Sequence, residues 1–116
     1  MGGYVDSAIW RVRAVGAAEE QFGKAHPEIG YTCTISQLPQ EELVGRLANG
    51  AVDNGYMFGI VGCQTSAPQK PNSMYHVTAR PLHSGLPAFC SDASRVVKYD
   101  ESGSVERCLA TGVPVG

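Results

Sequence analysis

One segment, residues 5–25, carries a helical pattern and constrains the fold more than any other feature of the sequence. Its apolar residues recur on one arc at about 100° per residue, while Arg13 and Lys24 fall on the far side. The arc consists of Val5, Ala8, Ile9, Val12, Val15, Gly16 and Phe22. His26-Pro27 ends the pattern, because the residue before a proline is disfavoured in the α region. The sequence therefore predicts one long amphipathic helix whose apolar face needs a partner.

Two residues of this segment depart from the amphipathic pattern. Glu19 falls inside the apolar arc, where burying a charge is costly unless the charge is paired. Because charged side chains are rarely fully buried, we expect Glu19 at the rim of the helix–sheet contact, where it reaches water. Trp10 falls about 100° or more outside the arc, so a sheet on the apolar face cannot cover it. An exposed Trp10 indicates a surface for a partner, and the alternative is a loop folded over it.

The remainder of the chain favours a short helix and then a run of strands. Pro39 opens the helix and Asn49-Gly50 closes it. Apolar or weakly alternating segments bounded by turn residues follow. They are residues 56–61, 74–80, 88–90 and 95–99, with 105–109 able to pair briefly with the last of these. A helix followed by consecutive strands predicts an α+β fold, in which the long helix packs on an antiparallel meander of about four strands at 56–109.

Composition places these elements in one domain and excludes several classes of protein. The 116 residues fit a single domain over positions 1–116. A formal net charge of −2 provides no basic field, so we predict no nucleic-acid partner. No run of about 18 apolar residues is long enough to span a membrane, and no signal peptide is visible. We interpret residues 1–3 as an initiator methionine with vector-derived glycines, and expect a natural N-terminal segment to be missing.

Four dispersed cysteines indicate an oxidising compartment. They are Cys33, Cys63, Cys90 and Cys108. None belongs to a C-x-x-C pair, which a zinc ribbon or a thioredoxin-like site needs. An even, dispersed set predicts two structural disulfides, and the alternative is four buried free thiols. Four cysteines permit three pairings, among which the sequence does not choose.

Other candidate reactive groups are better explained by structural roles. A thiol nucleophile at Cys90 would need a base such as His76 or His83, but no recognisable sequence flanks Cys90, and a disulfide accounts for it. The three histidines lack the spacing of a zinc site. Acidic residues near strand turns could bind calcium, yet turn chemistry alone explains them. They are Asp92, Asp100 and Glu101. We predict no catalytic residue, no metal and no cofactor.

Five stretches follow one another in an order and spacing that resemble a known family. They are AEEQF at 18–22, IGYTCTISQL at 29–38, NGYMF at 54–58, YHVTARP at 75–81 and FCSDASRVVKY at 89–99. One group of bacterial type IV pilin-like proteins has the similar patterns A-E-x-x-[YF], G-Y-x-x-x-L/I-x-x-L, S-G-Y-x-F, Y-x-V-x-A-x-P and F-x-x-D-x-x-G-x-I-x-Y. The resemblance covers about residues 7–110. Ser94-Arg95 replaces the turn glycine of the last pattern, and the prepilin-peptidase site and apolar half-helix of pilins do not precede Val5.

This resemblance implies a structural subunit of a type IV pilus or a secretion pseudopilus, acting by assembly without catalysis. It implies self-association and contacts with other pilin subunits through the N-terminal helix, near Trp10, and attachment to the inner membrane before assembly. It also implies Cys33–Cys63 and Cys90–Cys108 disulfides, and a location in an extracellular pilus or on the periplasmic face of the bacterial inner membrane. The alternative function is a secreted or periplasmic disulfide-stabilised binding module, and a third class is a small thiol or metal enzyme.

Overall fold

The long N-terminal helix expected from the sequence is present and ends where its proline requires. The computed structural model describes residues 2–38, 52–53, 55–62 and 71–115. Helix α1 spans Gly2–Ala25, so it begins before the predicted start at residue 5 and ends before His26-Pro27, as predicted. The shorter helix predicted to begin at Pro39 lies outside the described residues.

The helix packs on a sheet whose strands follow chain order. Within the described residues the sheet has six strands. They are β1 (Val52–Asp53), β2 (Tyr56–Val61), β3 (His76–Pro81), β4 (Ala88–Asp92), β5 (Lys98–Asp100) and β6 (Val113–Pro114). Every neighbouring pair is antiparallel, which confirms the predicted α+β fold and meander. The predicted count of about four strands is too low because β1 and β6 have two residues each, too few to leave an alternating pattern.

The segment 105–109, predicted to pair as a strand, is helical instead. It belongs to helix α2, which spans Val105–Thr111. Ser104 caps the N-terminus of this helix, since its Oγ accepts a hydrogen bond from the Arg107 N–H at 3.1 Å. The two buried residues of α2 lie three positions apart, which is the spacing of a helix face rather than of a strand. The strand prediction was wrong because it considered apolar content and ignored the cap.

The core lies between the inner face of α1 and the sheet. Four small or β-branched residues of α1 have almost no solvent exposure: Ala8, Val12, Val15 and Ala18. They pack across β2, β3 and β4, whose inward side chains are Tyr56, Phe58, Val77, Ala79 and Phe89. Ile9 and Phe22, both expected in the core, are partly buried at its edge. Small residues on the helix therefore allow the aromatic side chains of the sheet to approach closely.

The turn between β4 and β5 has an unusual backbone at Arg95. Its φ is +66°, in the left-handed region that residues with a Cβ rarely occupy. Asp92 holds the turn, since its carbonyl accepts a hydrogen bond from the Arg95 N–H at 2.8 Å and its Oδ1 accepts one from the Ser94 N–H at 2.9 Å. Strand β5 consequently begins at Lys98 rather than at Arg95, and the Arg95 side chain reaches α1.

Candidate functional site

Trp10 is exposed on the side of α1 that faces away from the sheet. Its relative exposure is 51%, as its angle on the helix predicts, and this value is inconsistent with a loop folded over the ring. The Cζ atom of Arg11 lies 4.8 Å from the centroid of the Trp10 ring, in a cation–π contact. The indole therefore remains accessible while one neighbouring cation restricts its orientation.

Two alanines continue the helix surface that Trp10 begins. Ala14 and Ala17 follow at spacings of four and seven residues, which place them on the same side of the helix. We refer to Trp10, Ala14 and Ala17 as the outer face of α1. Small side chains permit short distances between packed helices. A second helix could therefore pack closely against Ala14 and Ala17, with the Trp10 ring in contact with its surface.

Glu19 is fully buried, so the expectation that it lies at the rim and reaches water was wrong. Its exposed fraction is 0%. The Thr32 N–H donates a hydrogen bond to Glu19 Oε1 at 2.8 Å, while Oε2 has no hydrogen-bond partner among the described residues. Burial raises the pKa of Glu19 to about 7, and the hydrogen bond from Thr32 acts in the opposite direction. The carboxyl group thus ties α1 to the chain that returns beside it.

The described cysteines are in disulfides. Cys90 of β4 is bonded to Cys108 of α2, with the two Cα atoms 6.0 Å apart, so the second pair implied by the resemblance is present. Cys33 is also disulfide-bonded, and Cys63, its expected partner, lies outside the described residues. Because its sulfur is bonded, Cys90 cannot supply the thiolate that nucleophilic catalysis needs.

The carboxylates near the strand turns organise those turns. Asp92 accepts hydrogen bonds from the Ser94 hydroxyl and N–H, and Asp100 accepts them from the Ser102 hydroxyl and the Ser104 N–H. These hydroxyl bonds are the largest cause of the lowered pKa values of both aspartates. Within the part of the chain that the structure describes, no group of three His, Cys, Asp or Glu residues could hold a metal ion. The turn interpretation of the two aspartates therefore accounts for their positions.

A cleft of about 520 Å³ with a mixed polar and apolar lining lies beside the C-terminal end of α1. Glu20 and Lys24 come from α1, and Arg95 comes from the β4–β5 turn. Glu20 Oε2 accepts a hydrogen bond from Arg95 Nη1 at 2.7 Å, and Glu20 Oε1 lies 3.6 Å from Lys24 Nζ. These contacts lower the pKa of Glu20, with the Arg95 hydrogen bond as the largest cause. Two cations therefore share a single carboxylate.

Two tyrosines and a backbone bridge between Gly30 and Asn72 also line the cleft. The ring centroids of Tyr31 and Tyr75 are 4.7 Å apart, with an angle of 65° between the ring planes. Tyr31 N–H donates to the Asn72 carbonyl at 3.0 Å, and Asn72 Nδ2 donates to the Tyr31 carbonyl at 3.1 Å. Gly30 lies so close to this segment that a Cβ on it would stand 2.2 Å from the Asn72 carbonyl oxygen. We refer to Glu20, Lys24, Tyr31, Asn72, Tyr75 and Arg95 as the Arg95 cleft.

The Arg95 cleft could not be recognised from the sequence, because its residues are spread between positions 20 and 95 and form no contiguous motif. One signal was available. Arg95 stands where the pilin-like pattern has its turn glycine, and its φ of +66° belongs to the region that glycine adopts without cost. An arginine at such a position marks its side chain as one to test for a functional role.

Comparison with known proteins provides no relative for this chain. No family model, no curated protein and no solved structure matches it. Among the helices of the described residues, none combines the length and the apolar character needed to cross a membrane. Interpretation of the function therefore depends on the residues of the chain and on the pilin-like sequence patterns.

Proposed function

We propose that this protein is a structural subunit of a filament of the type IV pilus or secretion-pseudopilus kind, acting by assembly and surface presentation. Its partners are further copies of itself, other pilin subunits and, before assembly, the inner membrane through a segment that precedes this sequence. The order of elements supports the proposal, since one long N-terminal helix packs on an antiparallel meander. The five pilin-like stretches between residues 18 and 99 support it independently.

The observation that carries the proposal is the outer face of α1. Among the described residues, Trp10 is the most exposed large aromatic side chain, with 51% exposure, and Trp is enriched among residues that dominate interfaces. Burying the exposed half of Trp10 would remove about 100 Å² of mostly apolar surface from water. At about 25 cal/mol per Å², this contact would stabilise an assembly by about 2–3 kcal/mol per subunit.

The disulfides support a location outside the cytoplasm. The Cys90–Cys108 bond and the bonded Cys33 are typical of proteins that fold in an oxidising compartment. An oxidising compartment is consistent with the proposed location, which is an extracellular pilus or the periplasmic face of the inner membrane.

Replacing Trp10 in the full-length protein tests the proposal. In cells that assemble the filament, Trp10→Ala should lower the yield of sheared surface filaments, because it removes an anchor from the outer face of α1. Met74→Ala is the matched control, since Met74 is a large apolar residue with 56% exposure that precedes β3 and does not belong to α1. Both variants should retain the wild-type melting temperature of the domain. Wild-type filament yield from Trp10→Ala, or an equal loss from Met74→Ala, would refute the role of this face.

A second candidate function is a secreted or periplasmic binding module, which the Arg95 cleft favours. Small-molecule sites are concave and have volumes of about 300–1,000 Å³, and the cleft lies within that range. The N-terminus encoded by the parent gene separates the two candidates. A glycine-terminated leader followed by about 20 apolar residues supports the filament subunit, whereas an ordinary cleaved signal peptide supports the binding module.

A further inference from the structure

The Arg95 cleft has an excess of positive charge at its mouth. Lys24 and Arg95 each contribute one positive charge and Glu20 one negative charge, which leaves a net charge of +1 among these three residues. Among the described residues, the Arg95 side chain makes one hydrogen bond, through Nη1 to Glu20. A guanidinium group has five N–H donors, so Arg95 retains donors for an additional anion.

The backbone of Arg95 indicates that this side chain is held in place at a cost. A φ of +66° disfavours every residue with a Cβ, and arginine gains nothing locally in return, unlike asparagine or aspartate. Residues in sparsely populated backbone regions persist where the surroundings enforce them, and they concentrate at ligand sites. The β4–β5 turn therefore presents the guanidinium toward α1 in one defined direction.

Two aromatic side chains, Tyr31 and Tyr75, line the cleft together with Arg95. Tyr31 is partly buried, so part of its ring remains available to a ligand, while Tyr75 is 2% exposed and packs against it. The Tyr31 ring lies against α1, where a Cβ on Gly23 would stand 3.4 Å from it. Two hydrogen bonds join the Tyr31 backbone to Asn72, in the segment that precedes β3.

We propose that the Arg95 cleft binds a small aromatic carboxylate. The carboxylate occupies the free donors of Arg95 beside Lys24, and the ring of the ligand packs against Tyr31. Arginine is suited to this task because its planar donors match the geometry of a carboxylate. Glu20, which now bridges the two cations, competes with the ligand for them. This site does not depend on filament assembly, because none of its residues belongs to the outer face of α1.

Benzoate is the probe for the intact, disulfide-bonded protein, and its titration is followed through the backbone amide signals of Gly23, Tyr31 and Arg95 in NMR spectra. A ligand of this size is expected to bind with a Kd of about 1 mM. Two further probes distinguish the chemistry. Benzamide has the same ring without the charge, and inorganic phosphate has the charge without the ring. Both should bind at least about tenfold more weakly than benzoate, since each lacks one of the two contacts.

Arg95→Gly is the decisive variant. Glycine suits the positive φ, so the variant should fold at least as well as the wild type while weakening benzoate binding about 10- to 100-fold. Glu20→Gln should strengthen binding at least about threefold, because it removes the competing carboxylate. Arg13→Ala is the matched control for net charge, since Arg13 is an exposed cation of α1 that does not line the cleft, and it should leave benzoate binding unchanged.

Four results would overturn the proposal. They are undetectable binding of benzoate, equal affinity for benzamide or for phosphate, unchanged benzoate affinity in Arg95→Gly, and a loss in Arg13→Ala as large as that in Arg95→Gly. A filament defect in Trp10→Ala combined with any of these results would reject the carboxylate site while retaining the assembly proposal.

Discussion

Replacing Glu19 by glutamine should remove a large part of the pH dependence of this protein's stability. Glu19 has no solvent exposure, and one of its carboxyl oxygens has no hydrogen-bond partner among the described residues. Glutamine is nearly isosteric and neutral, and its side-chain oxygen can still accept the Thr32 N–H hydrogen bond. The substitution therefore removes the charge while retaining the contact that joins α1 to the returning chain.

The expected magnitude follows from the pKa of Glu19. Burial raises this pKa from 4.5 to about 7. Each pKa unit between the unfolded and folded states corresponds to about 1.4 kcal/mol, so Glu19 changes the free energy of unfolding by about 3 kcal/mol. Because the folded-state pKa lies above the unfolded one, this stability is fully present below about pH 4.5 and is lost as the pH rises through about 7. Above that range the folded protein must bury a charged carboxylate.

Urea unfolding followed by far-UV circular dichroism, at several values between about pH 4 and pH 8, measures the effect with the disulfides intact. The difference between the unfolding free energies of wild type and Glu19→Gln should change by about 3 kcal/mol across this range, in favour of the variant at high pH. Subtracting one unfolding free energy from the other at each pH cancels the contribution of the other titrating groups, which both proteins share. Glu28→Gln is the matched control at an exposed carboxylate. Parallel curves for wild type and Glu19→Gln would refute the argument.

Two further predictions concern the core and the disulfide. Val15→Ala should lower the free energy of unfolding by about 2 kcal/mol, because Val15 is completely buried against the sheet. Arg13→Ala, at an exposed position, should change it by less than about 0.5 kcal/mol. Equal costs would mean that α1 packs through another face. Replacing both Cys90 and Cys108 by alanine should cost about 3 kcal/mol, since their bond closes a loop with a sequence separation of 18, and a wild-type urea midpoint would contradict this value.

Local rules were sufficient to predict α1 and the position of Trp10. A proline fixes the end of the helix, and the angle of 100° per residue fixes which side chains leave the apolar arc. The same rules failed for Val105–Thr111, where the strand prediction counted apolar residues and omitted the Ser104 cap. For a segment of only seven residues, a side chain that accepts hydrogen bonds from the first backbone N–H groups was a better indicator of a helix than the apolar content of the segment.

Non-local contacts explain why Glu19 was misplaced. The preference of charged residues for the surface is an average, and it fails where a distant part of the chain supplies a hydrogen bond. Here that donor is the Thr32 N–H, thirteen residues along the chain, placed by the turn that follows Pro27. No pattern within α1 predicts that Thr32 lies beside Glu19. The sequence could therefore indicate that Glu19 departs from the amphipathic pattern, but not how its burial is stabilised.

The two proposed surfaces are centred on different parts of one helix, and the distance between their centres would let both operate in the same molecule. Trp10 and Glu20 are ten positions apart, which corresponds to about 15 Å along the axis at 1.5 Å per residue. Trp10 lies on the half of α1 nearer the N-terminus, where an apolar extension of the helix would join a filament core. The Arg95 cleft lies at the opposite end, beside the β4–β5 turn. A helix–helix contact confined to Trp10 and Ala14 would therefore leave Arg95 and Tyr31 open to a ligand, whereas a contact that extended over Ala17 would reach the neighbouring Glu20.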